Sequence, residues 1–313
     1  MVNDLPLVSV VVPAYNHANY LQQAIESVLR QDYPNIELIA LDDGSTDNTR
    51  DVLQKYTGRF YWETQKNMGQ ANTLNKGWKM AKGEILSYLG ADDVLMPRAV
   101  STSVSYLKTN PNVVLTYCDF NLIDPNSLVI RRVKTPEFNY RDMLVKLACP
   151  PGPGAFFRRS ALDAAGLWDS SLKQMPDYDY WLRLGLQGPF LRIPEILAAF
   201  RVHDTSQTFA VADEHKAAEQ ILILSRLFEI QSLPSELAAL KNQALSSAHL
   251  VSAQLHFRAG RYRQGATCVK KAAALYPSNL ITANTAHLLL NSLFNRLGHK
   301  ILWTMKSLLP GKS

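Results

Sequence analysis

The chain has 313 residues, of which 47% are hydrophobic and 19% charged, a balance typical of a globular protein with a sizeable core. Its three widely spaced cysteines form no CxxC pair, which argues against a disulfide framework or a cysteine-rich zinc site. The β-branched N-terminal run is not a signal peptide and no apolar run is long enough to cross a membrane, so we expect a cytoplasmic protein.

The formal net charge of +6 is distributed unevenly. Ten of the 33 Lys and Arg residues follow Glu236 but no Asp or Glu does, so this last part carries +10. The part of the chain up to Glu236 contains the other 23 basic residues and all 27 acidic residues, so its net charge is −4. This split indicates two parts with different roles.

Strand-like and helix-like segments alternate from the N-terminus to about Tyr117. Apolar β-branched runs predict strands, whereas apolar residues at spacings of three or four predict helices. The predicted strands are 7–12, 36–41, 60–62, 85–89 and 113–117, with helices between them that end near residues 29, 58, 81 and 107. Ser45 or Thr46 is expected to cap the second helix, and Pro97 to occupy the first position of the fourth. This alternation predicts an α/β fold with a mostly parallel sheet.

Polar clusters directly follow three of the predicted strands: Tyr15-Asn16, Asp42-Asp43 and Asp92-Asp93. Ligands of such sheets bind where the carboxyl ends of the strands open into loops, so these clusters are expected to converge on one edge. Two carboxylates on a short turn offer oxygen ligands for Mg²⁺ or Mn²⁺, which in turn bind diphosphate oxygens. The alternative is that each acidic pair is ordinary turn or helix-capping chemistry.

Carboxylates and aromatic residues are combined in the segment 176–183, PDYDYWLR, before apolar helix positions. Asp177 is either the N-cap of this helix or a general base that the helix N-terminus keeps ionised. Farther along, His203 follows the strand-like run 196–200. It is either a structural histidine or a third metal ligand.

From about Asp213 the pattern changes to continuous helix, with turns indicated at Pro234, Gly260 and Pro277. Residues 246–279 are similar to one tetratricopeptide-type helical hairpin, which needs a neighbour to bury its apolar face.

Apolar residues from His287 onward recur at helical spacing, which predicts a terminal amphipathic helix. This helix either packs on the hairpin or, with its basic neighbours, lies on an anionic membrane surface. Nucleic acid is not an expected partner, because the region is poor in aromatic residues and contains no known binding motif.

Taken together, the segments resemble the inverting family-2 glycosyltransferases of the GT-A fold. The resemblance covers roughly residues 5–205. The matching pieces are 10–16 (VVVPAYN), 42–47 (DDGSTD), Asn67 with Gly69, Asn75 with Gly77, 91–93 (ADD), 157–159 (FRR) with Gly166, 177–179 (DYD), 181–183 (WLR) and Arg201 with His203. The order and spacing of these pieces make the resemblance specific.

The resemblance implies roles for individual residues. Asp43 would hydrogen-bond the nucleobase with support from Asp42, in a pocket lined by 13–15. Asp177 would be the catalytic base, with Asp179 as its substitute. The full set expected at the donor nucleotide is Pro13, Ala14, Tyr15, Asn16, Asp42, Asp43, Asn67, Gly69, Asn75, Ala91 and Asp92. The residues expected to hold Mg²⁺ or Mn²⁺ are Asp92, Asp93 and His203.

The implied activity is inverting, metal-dependent transfer of a sugar from a nucleoside-diphosphate donor to an acceptor hydroxyl. A UDP-sugar is the favoured donor, and the acceptor is expected to be a glycan or lipid-linked molecule in polysaccharide or cell-surface glycan synthesis. The catalytic domain would span 1–205, connecting helices 206–245, and a basic helical tail 246–313.

Three positions depart from the family pattern: Gly90 and Pro176 stand where an acidic residue is frequent, and Leu74 where Arg is frequent. Gly90 and Pro176 leave open the alternative of a GT-A-like binding module without turnover. The basic helical part at the C-terminus leaves open a second alternative, a helical-repeat interaction protein.

Overall fold

The computed structural model describes residues 5–203, 213–281 and 285. The chain divides into two compact units. Unit 1 consists of Met1–Asn139, Cys149–Ser171 and Pro176–Ser206, and unit 2 of Tyr140–Ala148, Leu172–Met175 and Gln207–Ser313.

Among the described residues of unit 1, nine strands form one sheet. They are β1 (Val8–Ala14), β2 (Ile36–Asp42), β3 (Tyr61–Thr64), β4 (Ile85–Tyr88), β5 (Val94–Leu95), β6 (Leu115–Ile123), β7 (Val129–Val133), β8 (Phe156–Arg158) and β9 (Phe190–Arg201). Their order is β3-β2-β1-β4-β8-β6-β9-β5, and β7 pairs with β6.

Most paired residues of this sheet lie in parallel ladders. The half β3-β2-β1-β4 is entirely parallel, and β6 is parallel to β9. By contrast, β8 runs antiparallel to β4 and β6, and the short strands β5 and β7 are also antiparallel to their partners. The predicted α/β class with a mostly parallel sheet is therefore confirmed.

Buried apolar strands explain why the sheet forms where it does. Every residue of β1 is buried, as expected for a strand covered on both faces. The helices of unit 1 are α1 (Ala18–Leu29), α2 (Thr49–Gln54), α3 (Gln70–Met80), α4 (Ala99–Thr109), α6 (Arg159–Ala165) and α7 (Pro176–Gly185). In α1 the predicted apolar stripe is buried, because Leu21, Ala24, Ile25 and Val28 face the core.

Two details of the predicted helix starts are wrong. Helix α2 begins at Thr49 with Asn48 at the N-cap and no side-chain cap bond, because Ser45 and Thr46 contact Asn16 instead. Helix α4 begins at Ala99, so Pro97 lies in the preceding turn, whose Met96 carbonyl accepts the Ala99 N–H.

The regular secondary structure described in unit 2 is helical. Its helices are α5 (Tyr140–Lys146), α8 (Glu214–Leu227), α9 (Ser235–Ala238), α10 (Lys241–Arg258) and α11 (Tyr262–Leu275). The Asp213 side chain caps α8 by accepting the Lys216 N–H at 2.8 Å. Helices α10 and α11 form a hairpin around Gly260, which has a φ of 77°. Its relation to tetratricopeptide repeats stays a prediction, and the amphipathic helix predicted from His287 onward lies outside the described residues.

A buried carboxylate organises part of unit 2. Glu219 of α8 accepts three backbone N–H groups, from Lys173 at 2.6 Å, Gln174 at 2.7 Å and Met175 at 2.9 Å. A charged acceptor makes stronger hydrogen bonds than a neutral one, so this carboxylate fixes the loop 172–175.

Within the described ranges, no helix has both the length and the apolar character that crossing a membrane requires.

Candidate active site

The loops that follow β1 and β2 are tied together by hydrogen bonds. Asn16, at a φ of 57°, donates its N–H to Ser45 Oγ and accepts the Thr46 N–H at Oδ1, both at 2.8 Å. The His17 N–H reaches Thr49 Oγ1 at 3.0 Å, and the Ala18 N–H reaches an Asp47 carboxylate oxygen at 3.0 Å. These bonds hold the backbone of residues 16–18 in one conformation.

Asp43 joins the loop after β3 to the same edge. Its Oδ1 accepts Met68 N–H at 2.9 Å and Gln65 Nε2 at 3.0 Å, and its Oδ2 accepts Gly69 N–H at 2.8 Å. The residue is only 3% exposed. Asp43 therefore shapes the predicted nucleobase pocket as an internal scaffold, and its bond to a base stays a prediction.

Gly44 explains how closely these loops approach. It has a φ of 75°, and a Cβ placed on it would lie 2.9 Å from the backbone nitrogen of Asn67. Only glycine avoids both the strain and the clash at this position.

The other residues predicted at the nucleotide lie around these loops. Pro13 and Ala14 end β1, and Tyr15 is 44% exposed. Asp42 is fully buried; its Oδ1 accepts the Ser45 N–H at 3.0 Å, and its Oδ2 has no hydrogen-bond partner among the described residues. Asn67 is exposed, Gly69 has a φ of 85°, and Ala91 is buried.

Asn75 has a structural contact that its sequence position did not indicate. Its side-chain amide donates to the Trp168 carbonyl at 2.8 Å and accepts the Trp168 N–H at 2.9 Å. Both ends of the amide are thus engaged with one backbone unit, and contact with the donor remains a prediction for this residue.

The carboxylates of Asp92 and Asp93 have different surroundings. Asp92 Oδ2 lies 3.0 Å from His203 Nε2 and 3.8 Å from His17 Nε2. Asp93 is buried, and its Oδ1 accepts the backbone N–H of Arg201 at 2.9 Å. The structure therefore brings Asp92 and His203 together as predicted, and it adds His17.

The electrostatics of the two carboxyl groups also differ. Burial opposes ionisation of Asp92, but interactions with His17 and His203 outweigh it and hold the pKa of Asp92 below its usual range. Burial, reinforced by repulsion from Asp92, raises the pKa of Asp93 well above its usual range. Asp92 is therefore ionised more readily than Asp93.

Arg201 anchors the turn that carries both carboxylates. Its side chain is fully buried and donates to the Asp92 carbonyl at 2.8 Å, the Asp124 carbonyl at 2.9 Å and Gln23 Oε1 at 2.6 Å. The guanidinium also lies 4.8 Å from the centre of the Tyr20 ring. The sequence pattern included Arg201 but did not indicate this positioning role.

Gly90 departs from the family pattern that the sequence resembles, and the structure gives a steric reason for glycine. A Cβ on Gly90 would lie 2.8 Å from Asp92 Oδ1 and 2.8 Å from Asp93 Oδ2. Any side chain there would push on the two carboxylates, so this departure is part of how the turn is built.

Asp177 and Asp179 occupy the first turn of α7, and among the described residues only Asp179 of the two forms an ion pair. Asp179 accepts from Arg183 at 2.7 Å, and Arg183 also donates to the Leu167 carbonyl at 2.8 Å. Asp177 lies one residue inside the helix and accepts the adjacent Tyr178 N–H at 2.8 Å. Burial raises the pKa of Asp177 above its usual range, which backbone hydrogen bonds partly offset.

Tyr88 is the last residue of β4 and precedes the Asp92-Asp93 turn. Burial raises the pKa of Tyr88 well above its usual range, and Asp177, Cys149 and Asp93 raise it further.

The chain matches the family model described as Glycosyl transferase family 2 over residues 9–166. It is 35% identical to a glycosyltransferase of Rickettsia typhi over 217 residues, which are 65% of this chain and 66% of that relative. The chain covers a smaller share of longer relatives. The chain spans 20% of a hyaluronan synthase of Pasteurella multocida, with 31% identity over 62% of this chain.

Two solved structures share the fold. TarS of S. aureus in complex with UDP-GlcNAc aligns with a TM-score of 0.69 and 18% identity, covering 93% of this chain and 92% of that one. A mannosyltransferase from Pyrobaculum calidifontis in complex with GDP-Man and Mn²⁺ aligns with a TM-score of 0.60 and 18% identity, covering 96% and 88%. At these identities the likeness concerns the fold alone.

Proposed function

The chain belongs to glycosyl transferase family 2, and from that premise we propose that it transfers a sugar, with inversion, from a nucleoside-diphosphate donor to an acceptor hydroxyl. The observation that carries this proposal is the cluster of side chains at the turn predicted to bind the diphosphate. Ligand atoms of His17, Asp92 and His203 lie within 4.8 Å of one another there. Such a cluster suits the binding of a cation that offsets the charge of a leaving diphosphate.

The donor would lie along the carboxyl edge of β1, β2 and β4. Its base would occupy the loops held by Asn16 and Asp43, and its diphosphate would lie toward the Asp92-Asp93 turn. The structural neighbours were solved with UDP-GlcNAc and with GDP-Man, which supports a nucleoside-diphosphate sugar. A UDP-sugar is our proposed donor.

The residues near Asp92 fit a divalent cation such as Mg²⁺ or Mn²⁺. One carboxylate and two imidazoles offer ligand atoms within 4.8 Å of one another. Asp92 and His203 would hold the cation; Asp93, which accepts the Arg201 N–H, is proposed as a further ligand. When bound, such a cation supplies positive charge that neutralises a leaving diphosphate. Arg201 keeps the turn in place, since it donates to the Asp92 carbonyl at 2.8 Å.

Asp177 would act as the general base. The oxygen of the acceptor hydroxyl forms a bond to the anomeric carbon as its proton passes to the Asp177 carboxylate. The bond from that carbon to the diphosphate oxygen breaks, and the diphosphate leaves with the electron pair. Attack and departure on opposite faces invert the anomeric centre. Asp179 is held by Arg183, so it is less available for this role.

We also propose that the acceptor is a glycan or a lipid-linked molecule at a membrane. The net charge of +10 after Glu236 would attract the chain to anionic lipid, at about 1 kcal/mol per basic residue near the surface. Co-sedimentation of the full chain with anionic vesicles at low and high salt checks this. A variant with Lys300, Lys306 and Lys312 changed to Gln should bind less, and equal binding would contradict the proposal.

A panel of nucleoside-diphosphate sugars tests the proposed class of reaction. UDP-GlcNAc, GDP-Man and related donors are incubated with the full chain, with and without Mn²⁺, and released nucleoside diphosphate is measured. We expect release from at least one donor, stimulated by Mn²⁺. Tight donor binding without release for every donor and acceptor would instead indicate a binding module without turnover.

A further inference from the structure

Three side chains from distant parts of the chain surround one small space. They are His17 in the loop after β1, Asp92 in the turn after β4 and His203 after β9. Their ligand atoms all lie within 4.8 Å of one another, and all three residues are half-buried. His17 is separated from Asp92 by 75 positions in the sequence and belongs to no motif that indicates metal binding.

The hydrogen bond at the far side of the His17 ring decides which nitrogen is available. Nδ1 lies 2.7 Å from the Tyr15 carbonyl oxygen. A carbonyl only accepts hydrogen bonds, so Nδ1 carries the proton and Nε2 of the neutral ring has a lone pair. Metal-binding histidines are generally oriented in this way, by donating the other ring N–H to a carbonyl or carboxylate.

The distances between Asp92 Oδ2 and the Nε2 atoms of the two histidines suit a bound cation. His17 Nε2 lies 3.8 Å from Asp92 Oδ2, which is longer than a hydrogen bond. Asp92 Oδ2 and His203 Nε2 are 3.0 Å apart. Adjacent ligand atoms around an octahedral cation with bonds of about 2.1 Å lie about 3.0 Å apart. A shift of less than about 1 Å would therefore bring His17 to ligand distance.

Both imidazole rings are held in position by contacts away from the space they share. The His17 backbone N–H donates to Thr49 Oγ1 at 3.0 Å, and the ring is anchored at Tyr15. The His203 ring lies against Tyr20, with ring centres 5.2 Å apart. The ligand atoms are thus presented without the loss of much side-chain freedom on binding.

We propose that His17 is a ligand of the donor-binding cation and supplies its second imidazole, beside Asp92 and His203. This site selects Mn²⁺ over Mg²⁺, because imidazole nitrogen suits transition metals whereas Mg²⁺ prefers oxygen ligands. The inference deepens the proposed function, since it assigns the cation of the same site. It also connects the cation to the segment that follows residues 13–15, which are predicted to line the nucleobase pocket.

Direct measurement of Mn²⁺ binding to the full chain tests this proposal and requires no sugar transfer. Free Mn²⁺ is titrated by electron paramagnetic resonance, with and without UDP, for the wild type and for His17→Gln. The matched control is His215→Gln, an exposed histidine on α8. We expect about tenfold or greater loss of Mn²⁺ affinity in His17→Gln and none in the control, as found for residues that support metal sites. Mg²⁺ should compete weakly in the wild type and better in His17→Gln.

Spin-echo spectroscopy of bound Mn²⁺ distinguishes a ligand from a residue that only supports the loop. We expect ¹⁴N couplings from two imidazoles in the wild type and from one in His17→Gln, with equal thermal melting of the metal-free proteins. Wild-type Mn²⁺ affinity in His17→Gln, unchanged nitrogen couplings, or no Mn²⁺ binding by the wild type in either arm would overturn the proposal. Sugar transfer is measured in a separate assay. Loss of transfer with intact Mn²⁺ binding would contradict the proposed function alone, and loss of Mn²⁺ binding with intact transfer would contradict the metal site alone.

Discussion

The backbone N–H of Arg201, at the end of β9, donates to the carboxylate of Asp93 at 2.9 Å, across 108 positions of the sequence. The same residue holds the Asp92 carbonyl with its guanidinium at 2.8 Å. One buried arginine therefore fixes both the backbone and a side chain of the turn on which the candidate cation site is built.

Replacing Arg201 by Lys should destabilise the protein and weaken the site. Lysine cannot supply the forked donors that reach Asp92, Asp124 and Gln23, so buried carbonyls lose partners. We expect a loss of about 2–4 kcal/mol in the free energy of unfolding by urea denaturation, together with weaker Mn²⁺ binding. Arg30→Lys is the control, because that side chain is 78% exposed. A variant as stable as the control would contradict the anchoring role.

Placing a methyl group on Gly90 should disturb the carboxylates without disturbing the fold elsewhere. The Cβ of Gly90→Ala would lie 2.8 Å from oxygens of Asp92 and Asp93, so both must move. We expect Mn²⁺ affinity and donor turnover to fall about tenfold, as with other changes next to metal ligands. Gly58→Asn serves as control, since Gly58 has open space around its Cα and asparagine tolerates its φ of 85°. Unchanged Mn²⁺ affinity in Gly90→Ala would refute this steric account.

The pH dependence of kcat/KM should show an acid limb above the usual range of an aspartate. Burial raises the pKa of Asp177, and only the ionised carboxylate accepts a proton from the acceptor. Activity is therefore lost as pH falls through this raised pKa, at higher pH than for an exposed aspartate with a pKa of about 3.9. A limb at or below pH 4, or the same limb in the residual activity of Asp177→Asn, would contradict the assignment.

Glu219→Gln should loosen the loop 172–175. The amide places an N–H₂ donor among three backbone donors that the carboxylate accepted at 2.6–2.9 Å. Hydrogen–deuterium exchange at Lys173, Gln174 and Met175 should become faster by at least tenfold, in line with losing hydrogen bonds to a charged group worth about 1.5–3 kcal/mol each. Glu229→Gln, an exposed position near the end of α8, should leave the exchange unchanged. Equal exchange in both variants would show that the carboxylate does not hold the loop.

The elements predicted correctly are those that a pattern within one short stretch of the sequence indicates. The β-branched run of β1 and the apolar stripe of α1 were placed correctly, and the polar clusters after β1, β2 and β4 do share one edge of the sheet. Strand β7 was not predicted, because four of its five residues are exposed and it lacks an alternating pattern.

Contacts between residues that are far apart in the chain could not be predicted from the sequence. Asn75 bonds Trp168, Asp43 holds residues 65–69, and Ser45 and Thr46 contact Asn16 where a helix cap was expected. Each of these side chains is a type that suits both a ligand site and a loop contact. His17 was missed for the same reason: only the fold brings its ring to Asp92.

Single-turnover transfer by Asp177→Asn, compared with Asp179→Asn, tests the assignment of the catalytic base most directly. Donor affinity is measured by titration and the rate of sugar transfer by product formation, using the donor and acceptor that the panel identifies. We predict that Asp177→Asn binds donor like the wild type but transfers sugar about 10²-fold more slowly or worse. Asp179→Asn should retain transfer and lose thermal stability, because it breaks the bond to Arg183. Near-normal transfer by Asp177→Asn, with the severe defect in Asp179→Asn, would contradict this account.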